Sequence, residues 1–146
     1  MLAAAIEALA GEKIDVLAVS PVHLTPALGP AGRDFANAVA LVGSRASPPE
    51  LLSILKRIER RFGRRAGRRW GARVLDLDIV LWSEGVWPTR LGWRSSRGLA
   101  VPHREMARRN FVLGPALEIA PGWRHPVSGL SIRQMAARLN KPHPRD

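Results

Sequence analysis

The order of local patterns along this 146-residue chain predicts an α+β sandwich. Three observations carry that expectation. Apolar residues recur at helical spacing at the start, and again after a capping signal at Ser47. Short runs rich in valine, leucine and isoleucine stand between and after them, as strands require. A helical tail follows the last of these runs.

The elements follow in order. Leu2, Ile6 and Leu9 form one stripe and Gly11 closes it, so residues 2–10 read as the end of a helix. Ile14 to Ser20 is a strand. Pro21, Pro26, Gly29, Pro30 and Gly32 make Pro21 to Gly32 a loop. Phe35 to Val42 is a second strand. Ser47-Pro48-Pro49-Glu50 combines an N-cap, prolines in the first turn and a capping-box glutamate. The stripe Leu51, Leu55, Ile58, Phe62 then runs to Gly63. A third strand is expected from Val74 to Trp82, followed by a turn over Gly85 to Pro88. Residues 89–102 are irregular and basic, and His103 to Arg109 is read as a short helix. Phe111 to Ile119 is an apolar segment, Ser131 to Leu139 a final helix, and 140–146 a loose tail. Helix, strand, strand, helix, strand is a ferredoxin-like βαββαβ unit that lacks its first strand. The expectation is therefore an N-terminally incomplete sandwich with a C-terminal helical extension, forming one domain over 1–146.

Composition narrows the function classes. The net charge of +11 calls for an anionic partner, and zero cysteine excludes disulfides and thiolate metal sites. The start has no basic leader and carries Glu7, and no 18-residue apolar run occurs. A cytoplasmic protein with no membrane partner is expected.

Asp76 and Asp78 carry the most chemistry. On a strand they share one face, while Leu75, Leu77 and Ile79 take the other. Two adjacent carboxylates repel unless a cation neutralises them or one of them is protonated. Mg²⁺ suits such hard oxygen ligands and completes its shell with water and phosphate. Alone, such a pair favours ordinary surface aspartates on an edge strand. Seven of the fourteen residues from Arg60 to Arg73 are arginine, with Gly63, Gly67 and Gly71 among them. This basic loop leads into the paired carboxylates, as phosphoryl chemistry requires. The same loop also fits a solvated charge run or a nucleic-acid arm. All but Lys13, Lys56 and Lys141 of the 23 basic residues are arginine, so a compositional bias also fits.

Three strings in register settle the direction. They are Arg69-Trp70-Gly71-Ala72-Arg73-Val74-Leu75-Asp76-Leu77-Asp78-Ile79, then Leu99-Ala100-Val101-Pro102-His103 with Arg109-Asn110-Phe111-Val112-Leu113 and Pro115-Ala116-Leu117-Glu118-Ile119-Ala120-Pro121, and Thr25-Pro26-Ala27-Leu28-Gly29 leading to Phe35-Ala36-Asn37-Ala38-Val39. Together they resemble the 6-hydroxymethyl-7,8-dihydropterin pyrophosphokinases of folate biosynthesis, across roughly residues 1 to 140. The resemblance implies transfer of the β,γ-pyrophosphate of ATP to a pterin hydroxymethyl group, with release of AMP. It implies two Mg²⁺, bound with ATP, at Asp76 and Asp78. Arg64 and Arg73 would act on the transferring group. Glu59, Arg69, Trp70, Ile79, His103 and Arg109 would serve ATP. Thr25, Pro26, Leu28, Phe35, Asn37 and Phe111 would line the pterin slot, with the two phenylalanines stacking on the ring. The family's opening strand, with its glycine-serine-asparagine turn, has no counterpart here and belongs beside the Asp76/Asp78 strand. Gly98, Ala100 and Arg104 also depart from the pattern, near the nucleotide. A monomer acting on small molecules is expected. The alternatives are a basic nucleic-acid-binding module or an inactive truncated member of the family.

Overall fold

The computed structural model describes residues 1–25, 35–65 and 75–142, the side chains of Arg64 and Arg65 excepted. Within them the protein is α+β, with four α-helices and four short strands. The chain divides into two compact units. One holds 1–17 and 42–103, the other 18–41 and 104–146.

The first unit is built on α1 (Leu2–Gly11) and α2 (Pro48–Arg65). The stripe read from sequence is the buried face. Ala5 and Leu9 of α1 meet Leu55, Ile58 and Phe62 of α2, with Ile14 and Leu75 completing the cluster. Ile58 has no exposed surface at all. The capping box at Ser47 forms as expected, with Ser47 N–H donating to Glu50 Oε1 and Glu50 N–H to Ser47 Oγ. The Ser47 hydroxyl and backbone hold the Glu50 carboxyl below its ordinary pKa. The helix continues through Gly63 to Arg65, because one glycine weakens a helix without ending it. Glu12 joins the two helices by accepting from Arg57 Nη2 at 2.6 Å. Gly11 ends α1, but the left-handed conformation falls on Lys13, at φ 62°.

Strand β1 (Asp15–Val19) pairs with β4 (Ala40–Gly43). A Cβ on Gly43 would lie 3.7 Å from that of Asp15, and Ser20 meets Val39 at the other end, so the pair is antiparallel. The strand expected over Phe35 to Val42 is in fact two, β3 (Phe35–Asn37) and β4, broken at Ala38 and Val39. Ser20 explains how the break is tolerated. Its N–H donates to Val39 O and its Oγ accepts from Val39 N–H, both at 2.9 Å. The freed backbone groups are thereby satisfied.

In the second unit the expected loop Pro21 to Gly32 contains a strand, β2 (His23–Thr25). It pairs antiparallel with β3, His23 opposite Asn37 and Thr25 opposite Phe35. The ladder comes from a non-local partner, which outweighs the local proline signal. Helix α3 (Asn110–Ile119) packs on this hairpin and on α4 (Ile132–Leu139). Leu113, Ala116, Ile132, Met135 and Met106 are buried there. The short helix expected over His103 to Arg109 shrinks to one 3-10 turn, Met106–Arg108. Ser131 caps α4 in a complete capping box with Gln134. Burial pushes the His125 pKa down, and its Nδ1 accepts from the N–H groups of Val127 and Ser128. No helix among the described residues is long and apolar enough to cross a membrane.

Candidate active site

The segment bearing Asp76 and Asp78 differs from its expected form. Residues 75–82 are assigned to no strand, and residue 74 lies outside the described residues. The alternation survives without the ladder. Leu75 is buried, and Leu77 and Ile79 pack half-buried against the α1/α2 core. Asp76 and Asp78 are exposed. Two other contacts hold the backbone. Leu77 N–H donates to Glu59 Oε2 at 2.6 Å, and His103 N–H donates to Val80 O at 2.9 Å. Helix α2 thus supplies a carboxylate where a neighbouring strand would supply a carbonyl.

The contact through His103 brings a second predicted residue to the same segment. His103 is half-buried and follows Pro102, whose carbonyl accepts from Trp93 Nε1 at 2.7 Å. Trp93 is buried and anchors the otherwise exposed basic stretch around it. An antiparallel bridge between Trp87 and Val101 steadies the same region. Sequence reading missed Trp93. The available signal was one large aromatic residue inside an otherwise basic, irregular stretch.

The pterin-side candidates lie in the second unit. Register puts His23, Thr25, Phe35 and Asn37 on one face of the β2/β3 hairpin, and Leu24 and Ala36 on the other. Helix α3 covers the first face. Gly114 lies against His23, where a Cβ would come 3.4 Å from Nδ1, and Glu118 pairs with His23 Nε2. Phe111 is carried by that helix. Asn37 Nδ2 reaches Thr25 Oγ1 at 3.5 Å. Phe35 is 67% exposed and Phe111 40%, so neither ring is spent on a closed core. The Arg109 guanidinium stands 5.4 Å from the Phe111 ring centroid, a cation–π distance. His23 and Glu118 were not singled out from the sequence, although residue 23 shares the period-two spacing of Thr25.

Pro26, Leu28, Arg69, Trp70 and Arg73 lie outside the described residues, as does the Arg64 side chain.

A model of the family described as 7,8-dihydro-6-hydroxymethylpterin-pyrophosphokinase matches residues 1–121. The chain belongs to this family. A 2-amino-4-hydroxy-6-hydroxymethyldihydropteridine pyrophosphokinase of Synechocystis sp. is 36% identical over 127 residues, covering 87% of this chain and 62% of that protein. Its namesake in Pseudomonas aeruginosa is 40% identical over 112 residues, 76% of this chain and 65% of the relative. That of Methylorubrum extorquens is 37% identical over 142 residues, 96% and 84%. The chain thus spans less than two thirds of the length of the first two. The family match contains Asp76, Asp78, Glu59, Phe35, Asn37, His103 and Phe111, so the pyrophosphokinase site candidates all fall inside it.

Proposed function

We propose that this pyrophosphokinase-family chain transfers the β,γ-pyrophosphate of ATP to 6-hydroxymethyl-7,8-dihydropterin and releases AMP, a step of folate biosynthesis. The observation that carries the reading is the exposed Asp76/Asp78 pair on a segment fixed from behind, within a family match covering residues 1–121. The names of the relatives support the substrate.

The pair suits Mg²⁺. Both donors are hard carboxylate oxygens, both are exposed, and their alternation with buried Leu75 and half-buried Leu77 directs them to one side. Asp76 and Asp78 would hold two ions with ATP. When bound, the ions draw charge from the triphosphate and make its β-phosphorus a better electrophile. The pterin hydroxyl oxygen bonds to that phosphorus as the bridge to the α-phosphate breaks, and the hydroxyl proton is released. Arg64 and Arg73 would meet the negative charge on the transferring group. His103 and Arg109, with Arg69 and Trp70, would hold the nucleotide, and Ile79 would border it. Phe35 and Phe111 would stack on the pterin, with Asn37 and Thr25 addressing its polar edge. Pro26 and Leu28 would complete the slot. In this reading the α+β units belong to one ferredoxin-like domain, active as a cytoplasmic monomer without nucleic-acid or membrane partners.

The test is product analysis. With Mg²⁺, ATP and the pterin, AMP forms and ADP does not. EDTA stops the reaction. ADP formation, or AMP formation independent of the pterin, overturns the reading.

Phe35 separates binding from stability. Its ring is mostly exposed, so Phe35→Ala changes unfolding free energy by no more than about 0.5 kcal/mol. A lost stacking partner is worth about 0.5–1.5 kcal/mol, so pterin binding weakens about 2–10-fold. Calorimetric titration and urea unfolding check the pair of outcomes. A large stability loss with unchanged pterin affinity contradicts the assignment.

A further inference from the structure

The structure assigns Glu59 as the residue that positions the Asp76/Asp78 pair, an inference that rests on reading the pair as the metal-binding element. Extended backbone keeps its shape only when its polar groups are held. Among the described residues, no strand pairs with 75–82. Leu77 sits between the two aspartates, so fixing its N–H fixes the backbone from which both carboxylates project. Glu59 Oε2 accepts that N–H at 2.6 Å, a short charge-assisted bond.

Three features make Glu59 fit for this. It stands on α2 directly after Ile58, whose side chain is fully buried, so its backbone is anchored by the core. Its own side chain is only 16% exposed, which limits competition from water. Its other oxygen, Oε1, accepts from Lys56 Nζ at 3.1 Å. That cation offsets a third negative charge near two others. With both oxygens engaged, Glu59 acts through the segment instead of serving as a metal ligand itself. The exposed Lys56 pair alone would be worth little. The bond to Leu77 gives the residue its role.

The test uses the ¹⁵N-labelled chain, with amide hydrogen exchange at Leu77 and line broadening by Mn²⁺ plus ATP at Asp76 to Asp78. In Glu59→Ala, Leu77 loses its protection relative to amides of α1 and α4. Metal–nucleotide affinity falls about 10–100-fold, as for loss of other groups that orient metal ligands. Glu59→Gln keeps an acceptor oxygen and recovers most of both losses. Lys56→Ala spares the acceptor and leaves Leu77 protected. Unchanged Leu77 exchange in Glu59→Ala overturns the inference, as does a Glu59→Gln protein no better than Glu59→Ala. Absence of broadening at Asp76 to Asp78 in the parent chain instead refutes the metal reading. The Leu77 exchange data still decide whether Glu59 holds the segment.

Discussion

Asp78→Ala is expected to abolish nearly all Mg²⁺-dependent AMP formation while leaving the fold intact, and Asp76→Ala to do the same. In the proposed reading each change removes one of two hard ligands for the ions. A bound metal is worth several kcal/mol of transition-state stabilisation, so kcat/KM falls by at least about 100-fold. Stability moves the other way or not at all. Both side chains are exposed, so a contact either one makes at the surface is worth little, and removing one relieves repulsion from the other. Thermal unfolding therefore stays within about 0.5 kcal/mol of the parent. The checks are steady-state kinetics across a Mg²⁺ series and a thermal melt of each variant. Near-normal turnover in either variant contradicts the metal assignment.

Ile58→Ala is expected to have the opposite profile. Ile58 is fully buried at the centre of the α1/α2 core, between Leu55 and Phe62. Deleting its outer carbons removes apolar contact and leaves a cavity that two helices cannot close. The cost is about 2–5 kcal/mol. That is a large share of the ~5–15 kcal/mol that holds a whole domain. Because Glu59 follows directly on α2, activity should fall along with stability. Urea unfolding measures the loss, and a change under about 1 kcal/mol would show that this cluster is not the core.

Helices were the legible part of this fold. Three of them declare themselves locally, through the stripes Leu2, Ile6, Leu9 and Leu51, Leu55, Ile58, Phe62 or through the Ser131 and Ser47 caps, whereas α3 reads only as an apolar segment because no side chain caps it. The strands were less so, because a ladder depends on a partner distant in sequence. His23–Thr25 was hidden among prolines, yet it pairs with Phe35–Asn37. The Asp76/Asp78 segment shows both sides of this. Its alternation was readable from residue types and holds in the structure. Its expected ladder is absent among the described residues, and a helix carboxylate supports it instead. No periodicity links Glu59 to Leu77 across the intervening residues. The resemblance named Phe35, Asn37, Thr25 and Phe111, and the register with α3 places them on facing elements. It gave no role to His23 or Glu118, which meet on the same face.

The central claim is that a β,γ-pyrophosphate, and not a single phosphoryl group, leaves ATP. Isotope tracing tests it most directly. With Mg²⁺ and 6-hydroxymethyl-7,8-dihydropterin, label from [β-³²P]ATP should appear in the pterin product, and label from [α-³²P]ATP should remain in AMP. If β-label stays with the nucleotide as ADP while only γ-label moves, the assigned chemistry is wrong.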